Sequence, residues 1–182
     1  MTNKLTTITL LLGLVFGDLL WGQQVEIASP EKLCQAYWSL ITEVPIIQGA
    51  VVVERTNHSP NADFAKSSAS LIQGTIGGKI AFSQFHHLPF EITAADRKVA
   101  ANLFVFGFEK EGDLKKYLAK RPAGTVGKRG ILTAKAPQQF KVLTKGACLI
   151  VLVVDGARVD GMEDELFERA GRLLEPSANS KK

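Results

Sequence analysis

The chain has 182 residues, 46% of them hydrophobic and 22% charged, with a net charge of +4. That is the composition of a globular domain with a real core, not of a disordered or collagen-like chain. The mild basicity favours an acidic partner or an anionic surface, and it falls far short of the clustered charge typical of nucleic-acid binding.

Residues 1–22 read as an export address. Lys4 precedes an apolar run from Leu5 to Gly17, and Leu20-Trp21-Gly22 closes the segment before Gln23-Gln24. A positive start, a short apolar core and a small exit residue describe a secretory signal peptide ending at Gly22. The core is shorter than the roughly 20 residues of a membrane span, and Asp18 interrupts its extension. An uncleaved anchor running on through Trp21 is the alternative, and would be the only membrane attachment. The first cysteine, Cys34, lies too far past the apolar run for a lipoprotein. The expectation is a secreted or periplasmic protein with one domain over residues 23–176 and a polar tail over 177–182.

Ser29-Pro30-Glu31 announces the first helix: Ser caps, Pro needs no donor at the first helical position, and Glu suits the positive end. Leu33, Ala36, Tyr37, Leu40, Ile41 and Val44 form its apolar stripe, and Pro45 ends it. A strand follows over 49–55. Asp63 is expected to cap a short helix through Ile72, with Phe64, Ala65, Leu71 and Ile72 inward and Gly74 as its stop. A second strand is expected over 76–85, then an irregular connection over 86–99. The third strand, 101–108, is apolar on both faces.

Asp113 is expected to cap a helix carrying Leu114, Tyr117 and Leu118, closed by Lys120-Arg121 and Pro122. A Gly-rich basic loop over 123–130 leads to short strands over 129–134 and 140–143. The continuous apolar run 147–154 reads as a central strand buried on both faces. Asp160 then caps the last helix, whose stripe is Met162, Leu166, Phe167, Ala170, Leu173 and Leu174, before Pro176. The fold class is α+β: one compact domain with a mainly antiparallel or mixed sheet of five to six strands and three to four helices. Two strands apolar on both sides demand cover on both sheet faces. Helices supply it in the preferred arrangement, and a homodimer mate in the other.

Candidate sites are few. His86-His87 is the one histidine cluster and suits metal ligation or proton transfer, but neighbours on an extended strand point to opposite faces. Arg121, Lys128 and Arg129, with three glycines between 124 and 130, offer charge and backbone donors to an anion. The loop lacks the Walker spacing and follows a helix rather than preceding one. Asp160, Asp164 and Glu168 line one helix face, as dipole complementarity alone would place them. Phe104, Phe106 and Phe108 have the spacing of a stacking platform, but alternating Phe opposite helix stripes reads as core.

Cys34 and Cys148 fit either one disulfide or two buried thiols acting as small hydrophobes. Asn57-His58-Ser59 matches a glycosylation acceptor, which Pro60 disfavours. The sequence carries neither a nucleophile elbow nor a cofactor motif. The function expected is that of an exported, non-catalytic binding or accessory domain of the cell envelope. Its expected partner is an acidic protein or anionic envelope component, with no cofactor and no nucleic acid. The alternative is an extracytoplasmic hydrolase or metal-dependent enzyme using His86 or His87 with a distant carboxylate.

Overall fold

The computed structural model describes residues 29–55, 62–94, 97–131, 138–155 and 161–174. The signal-like segment, the 57–59 acceptor, Asp160 and the polar tail lie outside them. Four helices and six strands follow in the order α1 (Pro30–Thr42), β1 (Val51–Glu54), α2 (Ala62–Ile76), β2 (Gln84–Ala94), β3 (Arg97–Gly107), α3 (Glu111–Ala119), β4 (Arg129–Ile131), β5 (Gln139–Lys145), β6 (Cys148–Asp155) and α4 (Met162–Arg172). The strands form one sheet in the order β1-β2-β3-β6-β5-β4. Every neighbouring pair is antiparallel. This is the single α+β domain expected of the sequence.

Alternation along β3 and β6 explains the layers. Ala101, Leu103 and Val105 share one face with Ile150, Leu152 and Val154, where α1 and α4 contribute Leu33, Tyr37, Leu166 and Phe167. Phe104 and Phe106 share the other face with Leu149, Val151 and Val153, under Ala69, Ile72 and Ile76 of α2 and Leu114 and Tyr117 of α3. Helices of the same chain therefore pack on both faces. A side chain on each face of a strand contributes about 1.5–3 kcal/mol when a large apolar group is fully buried, so a doubly covered strand is the domain's strongest element.

Several boundaries differ from the sequence reading. Helix α2 runs through Gly74 to Ile76 and stops instead at Gly77, whose φ of 86° is left-handed and whose N–H bonds the Gln73 carbonyl at 2.8 Å. Phe64 and Leu71 are exposed, and Ser68, Ala69 and Ile76 take the inward positions. The expected second strand and irregular connection are replaced by the β2–β3 hairpin, paired from Gln84↔Gly107 to Ala94↔Arg97. Pro89 is tolerated there for a specific reason. Its carbonyl accepts from Arg55 N at 3.0 Å, so its donor-less nitrogen also faces the β1 side, beyond the last β1 pair, Glu54↔Phe90.

Helix α3 starts earlier than expected: Lys110 occupies the cap position with no side-chain bond, and Asp113 lies in the first turn. Helix α4 is entered through Gly161 at φ 82°. In α1, Ser29 caps as expected, its Oγ accepting from Lys32 N at 3.3 Å, but Ala36 and Val44 are exposed and Cys34 joins the buried stripe.

Candidate functional site

A group of four cations lies beside α3, in a cleft of about 290 Å³. Lys79 enters from the segment after α2, while Lys116, Lys120 and Arg121 come from α3 and its end. Phe108 and Tyr117 contribute aromatic walls, and Asp113 is the carboxylate at the rim. The spacing of Lys116 and Lys120 puts both ammonium groups on one side of the helix.

Two left-handed glycines support the cleft's arginine. Gly77 and Gly78 have φ of 86° and 66°, and a Cβ on Gly78 would lie 2.2 Å from Arg121 Nη1. The guanidinium thus rests against bare backbone. Tyr117 holds it from the other side, with Arg121 Cζ 5.1 Å from the ring centroid. Arg121 Nε donates to the Tyr117 carbonyl at 3.4 Å. The Tyr117 hydroxyl in turn donates to the Gly77 carbonyl at 2.8 Å, tying α3 to the end of α2. Burial pushes the Tyr117 phenol up from its ordinary value and the Arg121 charge opposes that shift, so the hydroxyl stays a donor at neutral pH. Lys116 pairs with Asp113 at 3.5 Å, an exposed contact worth little.

The cations singled out in the sequence do not converge. Arg121 belongs to this cleft. Lys128 borders a separate one of about 260 Å³ with Gly74, Thr75, Ile131 and Phe140. Arg129 binds Asp164 at 2.7 Å and lies 4.5 Å over the Phe167 ring, which fastens β4 to α4. The Gly-rich loop between them is tied down: Gly127 N donates to Val142 O at 2.7 Å, and Val142 N to Lys128 O at 3.1 Å. It extends the β4–β5 ladder.

His86 and His87 are neighbours on β2, opposite Val105 and Phe104, and so address different sheet faces. His87 is buried, stacked on Phe104 at 4.8 Å with rings 9° from parallel, and 5.0 Å from Phe64. Its Nε2 donates to Asn102 Oδ1 at 3.0 Å. Burial lowers its pKa, an effect the Asn102 bond opposes and His86 reinforces, so the ring is neutral at pH 7. Among the described residues no three His, Cys, Asp or Glu side chains gather as a metal site requires. Asp164 and Glu168 are engaged by Arg129 and by Arg172, the latter at 2.9 Å. Phe104, Phe106 and Phe108 are buried beneath α2 and α3. No helix among the described residues is long and apolar enough to cross a membrane.

Sequence reasoning overlooked Lys79, assigned to a strand, and Lys116. The available signal was Lys116-Lys120-Arg121 on one helix flank, preceded forty residues earlier by a Gly-Gly-Lys turn. Compared with known proteins, the chain matches no family model, no curated protein and no solved structure.

Proposed function

We propose that this chain is an exported, non-catalytic binding domain that engages an acidic partner at the α3 cleft. The observation carrying the reading is the gathering of Lys79, Lys116, Lys120 and Arg121 around Phe108 and Tyr117, with one carboxylate at the rim. Cations on low-dielectric aromatic walls attract an anion more strongly than the same charges spread over open surface. The site seats its arginine against bare backbone and gathers cations beside aromatic walls, an arrangement that favours recognition of an anion. Export rests on residues 1–22, and N-terminal sequencing of the native protein tests it: Gly22 removed with everything before it is expected, and a soluble product retaining Met1 refutes it.

Binding is tested with a fluorescent polyglutamate peptide and the full chain. Replacing Lys116 and Lys120 together by Glu is expected to weaken binding by about tenfold or more, and added salt to weaken the wild type. Arg129→Glu, outside the cleft, is expected to change it far less. Equal binding by the double variant and the wild type would sink the assignment.

A further inference from the structure

Cys34 and Cys148 belong to one buried cluster, at 2% and 1% exposure, on either side of the contact between α1 and the sheet. What brings them there is a close approach at Gly107. Gly107 pairs with Cys148 across β3 and β6, on the face that carries Ile150 and Leu152. A Cβ on Gly107 would lie 2.9 Å from Pro30 Cγ, so the first turn of α1 sits directly on this bare backbone. Cys34 follows Pro30 by four residues and therefore lies one turn further along the same helix face. Leu33, Cys34 and Tyr37 are the residues that this face buries. Helix and strand thus present one cysteine each to a shared contact.

We infer that Cys34 and Cys148 are a modification site, joined as an intramolecular disulfide fastening α1 to β6 when the chain meets a disulfide oxidant such as oxidised glutathione. Both are present as thiols in this structure. The thiols are near enough that negative charge on Cys148 opposes ionisation of Cys34, which burial already pushes far above the ordinary range. Burial pushes Cys148 up less, to about 11. Cys148 also borders a cleft of about 380 Å³ that runs past Ser29, Pro30, Gly107 and Ala147 to the surface.

That asymmetry orders the exchange. The Cys148 thiolate attacks one sulfur of the oxidant, the oxidant's S–S bond breaks, and one thiol leaves. The Cys34 thiolate then attacks Cys148 Sγ, the mixed disulfide breaks, and the second thiol leaves. Two cysteine thiols are oxidised by two electrons, one external disulfide is reduced to two thiols, and those thiols take up the two protons. Since thiolate is scarce in the folded protein at neutral pH, this exchange is slow there and quickens as the pH rises.

The test is refolding of the full chain in a mixture of oxidised and reduced glutathione, quenched by alkylation and digested without reduction. Mass spectrometry is expected to find the peptides of Cys34 and Cys148 linked in a monomer. On the chain-entropy description, the oxidised protein should have a folding constant larger than its reduced form by roughly several thousandfold, read from urea curves of the wild type with and without reductant. Comparison of one sequence in two redox states removes any dependence on a cysteine variant folding. Recovery of both cysteines alkylated, or only as glutathione adducts or cross-linked dimers, would overturn the assignment. The outcome is independent of the α3 cleft and of export.

Discussion

Replacing Arg169 should cost more than any other single charge deletion on α4. Its side chain is 4% exposed and binds Glu165 at 2.6 Å through Nε. The guanidinium also donates to the carbonyls of Leu40 at 2.9 Å, Val44, and Pro45 at 3.0 Å. These acceptors lie in and just beyond the last turn of α1, where helical carbonyls lack intrahelical partners. Arg169 is therefore the C-terminal cap of a helix nearly 130 residues away in sequence. Beside it, the Tyr37 hydroxyl donates to Leu166 O at 3.0 Å, a second tie between the same two helices.

The magnitude follows from what Arg169→Met leaves behind. Methionine keeps most of the stem's packing but no donor, so the carboxylate of Glu165 and the Leu40 carbonyl lose their partner. Breaking a buried ion pair from one side costs about 3–5 kcal/mol. Water can reach the exposed Val44 and Pro45 carbonyl region, which argues for about 3 kcal/mol. Against a typical domain stability of about 5–15 kcal/mol that is a large fraction, and should lower the urea midpoint by roughly 1–2 M. Arg172→Met is the matched comparison: its pair with Glu168 is 46% and 65% exposed, so about 0–1 kcal/mol is expected. Adding Glu165→Gln to Arg169→Met should restore part of the loss by removing the stranded charge. Midpoints for Arg169→Met and Arg172→Met that agree within error would refute the capping argument.

His87 should make stability fall with acid. Its folded pKa is depressed by burial, so the unfolded chain binds the proton first, and stability declines as pH drops below the ordinary value of 6.5 until the folded group titrates. His87→Phe should flatten that part of the urea-midpoint profile, and an unchanged profile would remove the assignment. Gly78→Ala places a methyl where the Arg121 guanidinium lies and forces an alanine into a left-handed φ of 66°. A loss of about 1 kcal/mol together with weaker polyglutamate binding is expected, whereas full binding would show that the arginine seat is irrelevant. Gly130→Ala meets Phe140 Cε1 at 2.7 Å inside the core and should cost about 1–3 kcal/mol in a thermal melt. Gly112→Ala meets nothing within 4 Å and should be neutral or slightly stabilising.

What the sequence reveals of this fold tracks how local each cause is. Helix α1 is legible because its cap, its proline and its stripe lie within sixteen residues, and β6 because eight consecutive apolar residues admit few alternatives. Strand β2 is hidden although Leu88, Phe90 and Ile92 alternate with a face of His87, Glu91 and Thr93, because Pro89 on that second face argues against a paired strand. That face is acceptable only because β3 supplies Phe104 and Asn102 to His87, and because β1 runs out before Pro89. The end of α2 was misplaced for a related reason: Gly74 keeps helical geometry, while Gly77, three residues later, takes the left-handed turn. For the cations, sequence proximity was a poor guide. Arg121 and Arg129 are eight residues apart, yet one rests on Gly78 and the other on Phe167.

The two sheet faces are held differently, and this bears on where a ligand can bind. Between α1 and α4 the described contacts include a buried guanidinium and a buried tyrosine hydroxyl, each donating to backbone carbonyls of the other helix. Lys141 adds a bond from β5 to the Phe167 carbonyl at 2.9 Å. That layer has its polar groups committed to its own helix ends. On the opposite face, the Tyr117 hydroxyl bond to Gly77 joins α3 to the end of α2, and aliphatic side chains such as Ile72 and Leu114 pack there with rings such as Phe82, Phe85 and Phe106. Aromatic packing excludes water without consuming charge, and the α3 lysines stay at the surface, where the pairs of Lys115 with Glu111 and Lys116 with Asp113 are exposed and neutralise them weakly. The cationic cleft lies on this second layer, beside Phe108 and Tyr117, where the α3 cations meet a low-dielectric wall.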